Sequence, residues 1–205
     1  MSCGPSRRQS RVSSLVAPWR ASHSHSSRRN FDLFPFAHVG IGTHLIPGRV
    51  RASLPWRWVA LGCLLPDLID KPIWIVARLS SGAVDANGGL FASARLFGHS
   101  VFFAGLLALA AALVPAARMR ALAYGAATHL LLDLVTDYAL FGHGAWRTWL
   151  FWPLAVPSFA TVSIPSLLRA FASEASSKVY LVGELVGAAL LIRDRARRGG
   201  KRAWP

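Results

Sequence analysis

Residues 97–114 carry no charged side chain unless His99 is counted, an 18-residue run near the lower limit for a helix that crosses a bilayer. A buried helix of a water-soluble protein seldom stays uncharged for so long, so this window directs the chain toward a lipid environment and an all-α fold. Further apolar segments at 121–141, 148–164 and 178–192 point the same way, although the last is only roughly 22 Å long at ~1.5 Å per residue. With 53% hydrophobic residues and a mean hydropathy of +0.39, the 205-residue chain is more apolar than an ordinary soluble domain. Together these features predict a multi-spanning helical protein of the inner or cytoplasmic membrane, with membrane lipids as its partners.

The formal charge of +14 belongs mostly to the ends. Residues 1–30 hold +6 and residues 193–205 hold +5, which leaves +3 for the body. Basic flanks beside apolar helices follow the positive-inside rule and face anionic lipid. No aromatic-basic groove or reading motif accompanies them, which weighs against nucleic acid as a partner. Residues 1–30, rich in Ser and Arg and without apolar periodicity, read as a disordered basic tail or an overextended start. Residues 31–192 then form the helical, membrane-embedded domain, and 193–205 a basic C-terminal tail. Cys3 and Cys63 make no Cys-x-x-Cys and no disulfide framework.

Two short apolar stretches, "FAHVGIGTHLIPG" and "WRWVALGCLLPDLIDKP", are punctuated by Pro47, Gly48 and Pro72 and predict half-helices near the N-terminus. A Gly/Ser/Asn-rich loop follows. Trp146, Trp149 and Trp152 suit a belt at the bilayer interface.

Against this apolar background the ionisable residues stand out, because each costs at least ~2.5 kcal/mol at mid-depth in a membrane helix. His129 and Asp133, four apart in "GAATHLLLDLVTD", share one helix face within reach of a single ion. Asp137 continues that face but lies roughly 12 Å along the axis from His129, too far to join the same ligand shell. His99 opens the long apolar run, and Asp67 follows Pro66, where a constrained backbone can aim a carboxylate. Two imidazoles and two carboxylates make a four-ligand N/O set that favours zinc, with manganese or iron as alternatives. Asp70 reads as a support for that set or as a salt partner of Lys71. His38 and His44 are six apart, so at most one of them faces a common site. Plainer readings remain open: His129 with Asp133 as a hydrogen-bonded pair, and Asp67 as a turn cap.

The ordered set "PFAHVG", "LGCLLPDLIDKP", "RLFGHS", "GAATHLLLDLVTD" and "LFWPL", over about residues 33–155, resembles a family of membrane-bound metal-dependent hydrolases, also described as LexA-binding, inner membrane-associated hydrolases. The layout is also distantly similar to zinc-dependent phospholipase C. The resemblance implies Asp67, His99, His129 and Asp133 as metal ligands, with His38 a candidate for a second ion. The phospholipases' further His-x-x-x-Glu helix has no counterpart here, since neither Glu174 nor Glu184 follows a histidine at that spacing. The expected chemistry is hydrolysis of an ester or phosphoester, with a lipid-like substrate, by a metal-activated water. In that scheme Asp67 bridges to a second ion and Arg95 neutralises a phosphate, or else anchors to lipid headgroups. A transporter that uses the same Asp/His cluster, and a noncatalytic membrane scaffold, are the competing expectations.

Overall fold

The computed structural model describes residues 35–80, 95–141, 145–154 and 178–199. They are helical, with no strand among the described residues. A π-helical stretch, Ala37–Ile41, runs into α1 (Gly42–Leu45), and Pro47 separates it from α2 (Gly48–Ala52). Then come α3 (Trp56–Ser80), α4 (Val101–Leu113), α5 (Ala117–Phe141), α6 (Ala145–Leu150) and α7 (Lys178–Gly199).

The expected break at Pro72 does not occur: α3 continues through both Pro66 and Pro72. A proline inside a helix withdraws one backbone donor and crowds the carbonyl four residues back, which loosens the ladder there. Packing of α3 along α5, the most extensive helix pair in the fold, supplies what those turns lose. That packing needs close backbones. A Cβ at Gly62 would meet the Leu122 carbonyl oxygen at 2.5 Å, and one at Gly125 would meet the Cys63 amide nitrogen at 2.6 Å. Only glycine lets the two helices approach this far, the small-residue packing common between helices in lipid. A second crossing, at Gly40 and Gly187, seats α7 on the π-helical stretch. There the Glu184 carboxylate accepts the free Ala37 N–H at 2.7 Å.

α4 is shorter than the uncharged window that contains it. Ser100 starts the helix by accepting the Phe103 N–H at 3.1 Å, and Val114 in extended conformation, just before Pro115, stops it. Thirteen residues reach roughly 20 Å, well short of a bilayer core. α3 and α5 have 25 residues each but carry charges along their middles. Among the described residues no helix is long and apolar enough to cross a membrane, so the expectation of several spans is not met by these helices. Most of the 148–164 segment lies outside the described residues, as do the 1–30 tail and the glycine-rich loop.

Burial is inverted relative to a soluble domain. His99, His129, Asp133 and Asp137 are among the most enclosed side chains, whereas Leu113 (73%), Leu185 (62%) and Val76 (63%) are exposed. A smaller apolar core of Val39, Ile46, Val59, Cys63 and Ala121 lies between α1 and the first halves of α3 and α5. Exposed apolar side chains in this number favour contact with lipid or another protein.

Candidate metal centre

The buried polar cluster is built from four elements: the π-helical stretch gives His38, α3 gives Asp67 and Asp70, the turn before α4 gives Arg95 and His99, and α5 gives His129, Asp133 and Asp137. Asp70 organises the turn. Its Oδ1 accepts the Gly98 N–H at 2.9 Å, and its Oδ2 accepts the Leu96 N–H at 2.7 Å and the His99 N–H at 3.2 Å. The same Oδ2 holds His99 Nδ1 at 2.8 Å. One carboxylate thus fixes both the backbone that carries His99 and the rotation of its ring. Gly98 permits the close seat, since a Cβ there would meet the Pro66 carbonyl oxygen at 2.7 Å.

His129 is fixed in a parallel way. Its Nδ1 lies 2.6 Å from the carbonyl oxygen of Cys63, in the α3 turn that Pro66 loosens. A carbonyl only accepts, so the His129 proton sits on Nδ1 and Nε2 is left as a lone pair. An Nδ1 proton shared with the Asp70 carboxylate does the same for His99. The two bare Nε2 atoms then face one another at 3.2 Å.

Two carboxylate oxygens complete the set. Asp67 Oδ1 is 3.3 Å from His99 Nε2, and Asp133 Oδ2 is 3.4 Å from both His99 Nε2 and His129 Nε2. Neither oxygen makes a short hydrogen bond, although Asp133 Oδ2 also lies 3.4 Å from Arg95 Nη2. Four acceptor atoms therefore converge with no proton between them once both imidazoles are neutral. Ligands at ~2.0–2.1 Å from a tetrahedral ion stand roughly 3.3–3.4 Å from one another. Four of the six separations among these atoms, 3.2 to 3.4 Å, match the edges of such a tetrahedron, and the Asp67, His99 and His129 ligand atoms all lie within 4.8 Å of one another.

His38 lies beside this set. Its ring stacks on His129 with centroids 4.0 Å apart, and its Nε2 is 3.4 Å from the other Asp133 oxygen, Oδ1. His38, His129 and Asp133 form a second group with metal-ligand spacing, next to Asp67, His99 and His129. The carboxylate placed between the two groups is that of Asp133. Asp67, expected to bridge, instead turns its second oxygen to Lys71 Nζ at 2.7 Å.

Arg95 is also placed differently from expectation. It is 2% exposed and gives Nη1 to both oxygens of Asp137 at 3.0 Å, with Nη2 3.4 Å from Asp133 Oδ2. It holds carboxylates inside the fold and does not face an incoming phosphate or the lipid headgroups. Trp149, expected in an interface belt, is buried, donates Nε1 to Asp137 at 2.8 Å and lies under Arg95 at 5.4 Å. Asp137, Trp149 and the Cys63 carbonyl are the parts sequence spacing did not assign. His44 points away to Arg193 and Asp194 at the far end of α7. His143 lies outside the residues whose side chains are described.

The electrostatics are those of a pocket short of positive charge. Burial, and then the neighbouring His129, push His38 down to about 3, so it is a neutral imidazole at ordinary pH. Burial pushes Asp67 up, but the His99 hydrogen bond and the Lys71 charge outweigh it and hold the carboxyl at about 2. Burial likewise opposes ionisation of Asp133, and Arg95 with His129 holds it well below the usual carboxylate range. Burial disfavours charge on His99 too, yet the Asp67 and Asp70 bonds raise it, so without a cation this ring takes the additional proton. Burial also opposes the Arg95 charge, which Asp133 and Asp137 restore. Formally, Asp67, Asp70, Asp133 and Asp137 face Lys71 and Arg95, a deficit of two positive charges that one divalent ion would fill.

Fold and site together define an all-helical protein with an apolar exterior and an enclosed His/carboxylate cluster. A family model described as YdjM inner membrane protein matches residues 33–195, and the chain belongs to that family, which supports a membrane location. Neither the curated proteins nor the solved structures contain a match to the chain. The family description speaks of the inner membrane and is silent on hydrolysis and on zinc.

Proposed function

We propose that the chain is a membrane-bound, metal-dependent hydrolase whose divalent ion is held by Asp67, His99, His129 and Asp133. The observation that carries this is the convergence of His99 Nε2, His129 Nε2 and one oxygen each of Asp67 and Asp133, with four of their separations at 3.2 to 3.4 Å. Mixed N/O donors without thiolate favour zinc, with manganese or iron as alternatives. A divalent ion there would supply Lewis acidity and an activated water for cleavage of an ester or phosphoester. The residues around it have separable tasks. Asp70 and the Cys63 carbonyl orient the two imidazoles, as partners of metal-bound histidines commonly do. Arg95 keeps Asp133 ionised and directed inward. His38, neutral and facing Asp133 Oδ1, is the available base or the ligand of a second ion.

A cavity of about 70 Å³ beside His38, Asp133 and Tyr180 has room for about two waters at ~30 Å³ each. Asp67 has the most accessible side chain of the four ligands, at 14%, and is the side on which a substrate would enter. The apolar exterior favours a lipid-like substrate and embedding of the helices in the membrane.

A second reading, a noncatalytic scaffold stabilised by a structural ion, is favoured by a ligand set drawn from four protein side chains, since structural zinc sites are closed in this way. The two separate on turnover. Purified, metal-loaded protein in detergent is screened against phospholipid, phosphomonoester and carboxylester panels. Hydrolysis that is lost on chelation and in His38→Ala supports the hydrolase. Stoichiometric metal with no turnover of any panel member contradicts it and leaves the scaffold.

A further inference from the structure

We propose that a cavity at the end of the bundle away from His99 binds the anionic phosphodiester headgroup of a membrane lipid. The cavity measures about 780 Å³, within the size range of ligand pockets, and its walls include Arg51, Trp56, Arg57, Trp58 and Arg118. It is distinct from the metal cluster: Asp67 lies roughly 16 Å along α3 from Trp56.

Three features select an anion. Among the described residues no carboxylate pairs with Arg51, Arg57 or Arg118, whereas the interior arginine, Arg95, is bound to two. The Arg118 guanidinium sits 5.6 Å over the Trp58 ring, which fixes one charge at the rim without neutralising it. Both α3 and α5 also begin here, so two helix N-termini add partial positive charge.

Two features select a lipid over a free anion. Trp56 and Trp58 are half-buried, placing amphipathic indoles where headgroup meets hydrocarbon. Beyond the rim the surface turns apolar, with Leu61 one turn on along α3 and Leu113 and Val114 exposed at the end of α4. Acyl chains have somewhere to lie, and the family's membrane location supplies the lipid. The basic end then faces the cytoplasmic leaflet, where anionic lipid attracts arginine.

The test uses full-length protein in mild detergent, mixed with phosphatidylglycerol, with phosphatidylcholine of the same acyl chains, or with inorganic phosphate. Retained lipid is read by native mass spectrometry and stability by the thermal midpoint. The expected result is selective retention of phosphatidylglycerol with a raised midpoint, no such effect of phosphatidylcholine, and no displacement by millimolar phosphate. In Arg57→Gln/Arg118→Gln, and independently in Arg51→Gln/Arg57→Gln, phosphatidylglycerol affinity falls roughly tenfold or more while bound metal stays unchanged. Equal retention of the two lipids overturns the proposal, as does displacement by phosphate, which marks an adventitious free-anion site. Undiminished selectivity in both variants places the lipid elsewhere. None of these outcomes bears on the metal centre, which rests on other residues.

Discussion

Around His99 every described carboxylate is enclosed and committed to a neighbour, and the cluster as a whole lacks positive charge. At the other end, Arg49, Arg57, Arg118 and Arg120 are exposed and, among the described residues, none pairs with an acid. The two regions share α3 and α5 and differ in what they lack. The interior has more carboxylates than cations, and its burial makes the mismatch costly. The basic end has donors without an anion, and its exposure makes the mismatch cheap. Substitutions inside should therefore cost stability, and substitutions outside should cost only binding.

The sharpest way to break this contrast is at Asp137. In Asp137→Ala the fully enclosed Arg95 loses its two-pronged partner and Trp149 loses its acceptor, for an expected cost of ~3–5 kcal/mol in chemical denaturation. A loss below ~1 kcal/mol would mean that solvent reaches Arg95, and the interior would not be the closed region described.

Next in size is the crossing that joins the two regions. Gly62→Ala places a methyl group against the Leu122 carbonyl, and separating α3 from α5 should cost about 1–3 kcal/mol and lower the thermal midpoint. Because Cys63, whose carbonyl orients His129, is the adjacent residue, metal affinity should fall as well. A midpoint that drops with metal affinity unchanged would uncouple the crossing from the cluster.

Asp70→Asn probes the cluster with little change of volume. Asn keeps only one acceptor oxygen, so it can serve the Gly98 amide or the Leu96 and His99 groups but not both, and its NH2 faces a donor at the other position; metal affinity should fall about 10–100-fold as His99 loses its carboxylate partner. An unchanged affinity would show that the turn alone positions His99. The smallest effect belongs outside: Arg57→Gln should alter stability by less than about 0.5 kcal/mol and leave metal content alone.

How far these regions were legible in the sequence follows from what kind of signal each emits. His129 and Asp133 announce themselves by helical spacing, and His99 and Asp67 by being ionisable in apolar text; in the fold His99, His129 and Asp133 come together, with Asp67 against His99. Asp70 was legible only as an ambiguity, because a carboxylate that binds backbone amides looks in sequence like any acid near a lysine. Asp137 is set aside on its distance from His129, but spacing along one helix says nothing of an arginine arriving from another segment. Trp149 carries the composition of an interface residue and was displaced by a specific acceptor. The Cys63 carbonyl has no side-chain signature at all, although Pro66 three residues later marks the turn it belongs to.

The uncharged window at 97–114 misled for a related reason: absence of charge measures compatibility with lipid, whereas helix length is set by Ser100 and Pro115. The basic end, by contrast, emits no local signal, because its arginines come from separate segments that only the side-by-side, parallel packing of α3 with α5 brings together.

The central claim is most directly tested by measuring bound metal in the wild-type protein and in Asp67→Ala/His129→Ala, with X-ray absorption spectroscopy on whatever is bound. The proposal predicts close to stoichiometric divalent ion in wild type, with nitrogen and oxygen neighbours at about 2.0–2.1 Å, and its loss in the double variant. An empty wild-type protein, or an ion retained undiminished by the variant, would contradict it.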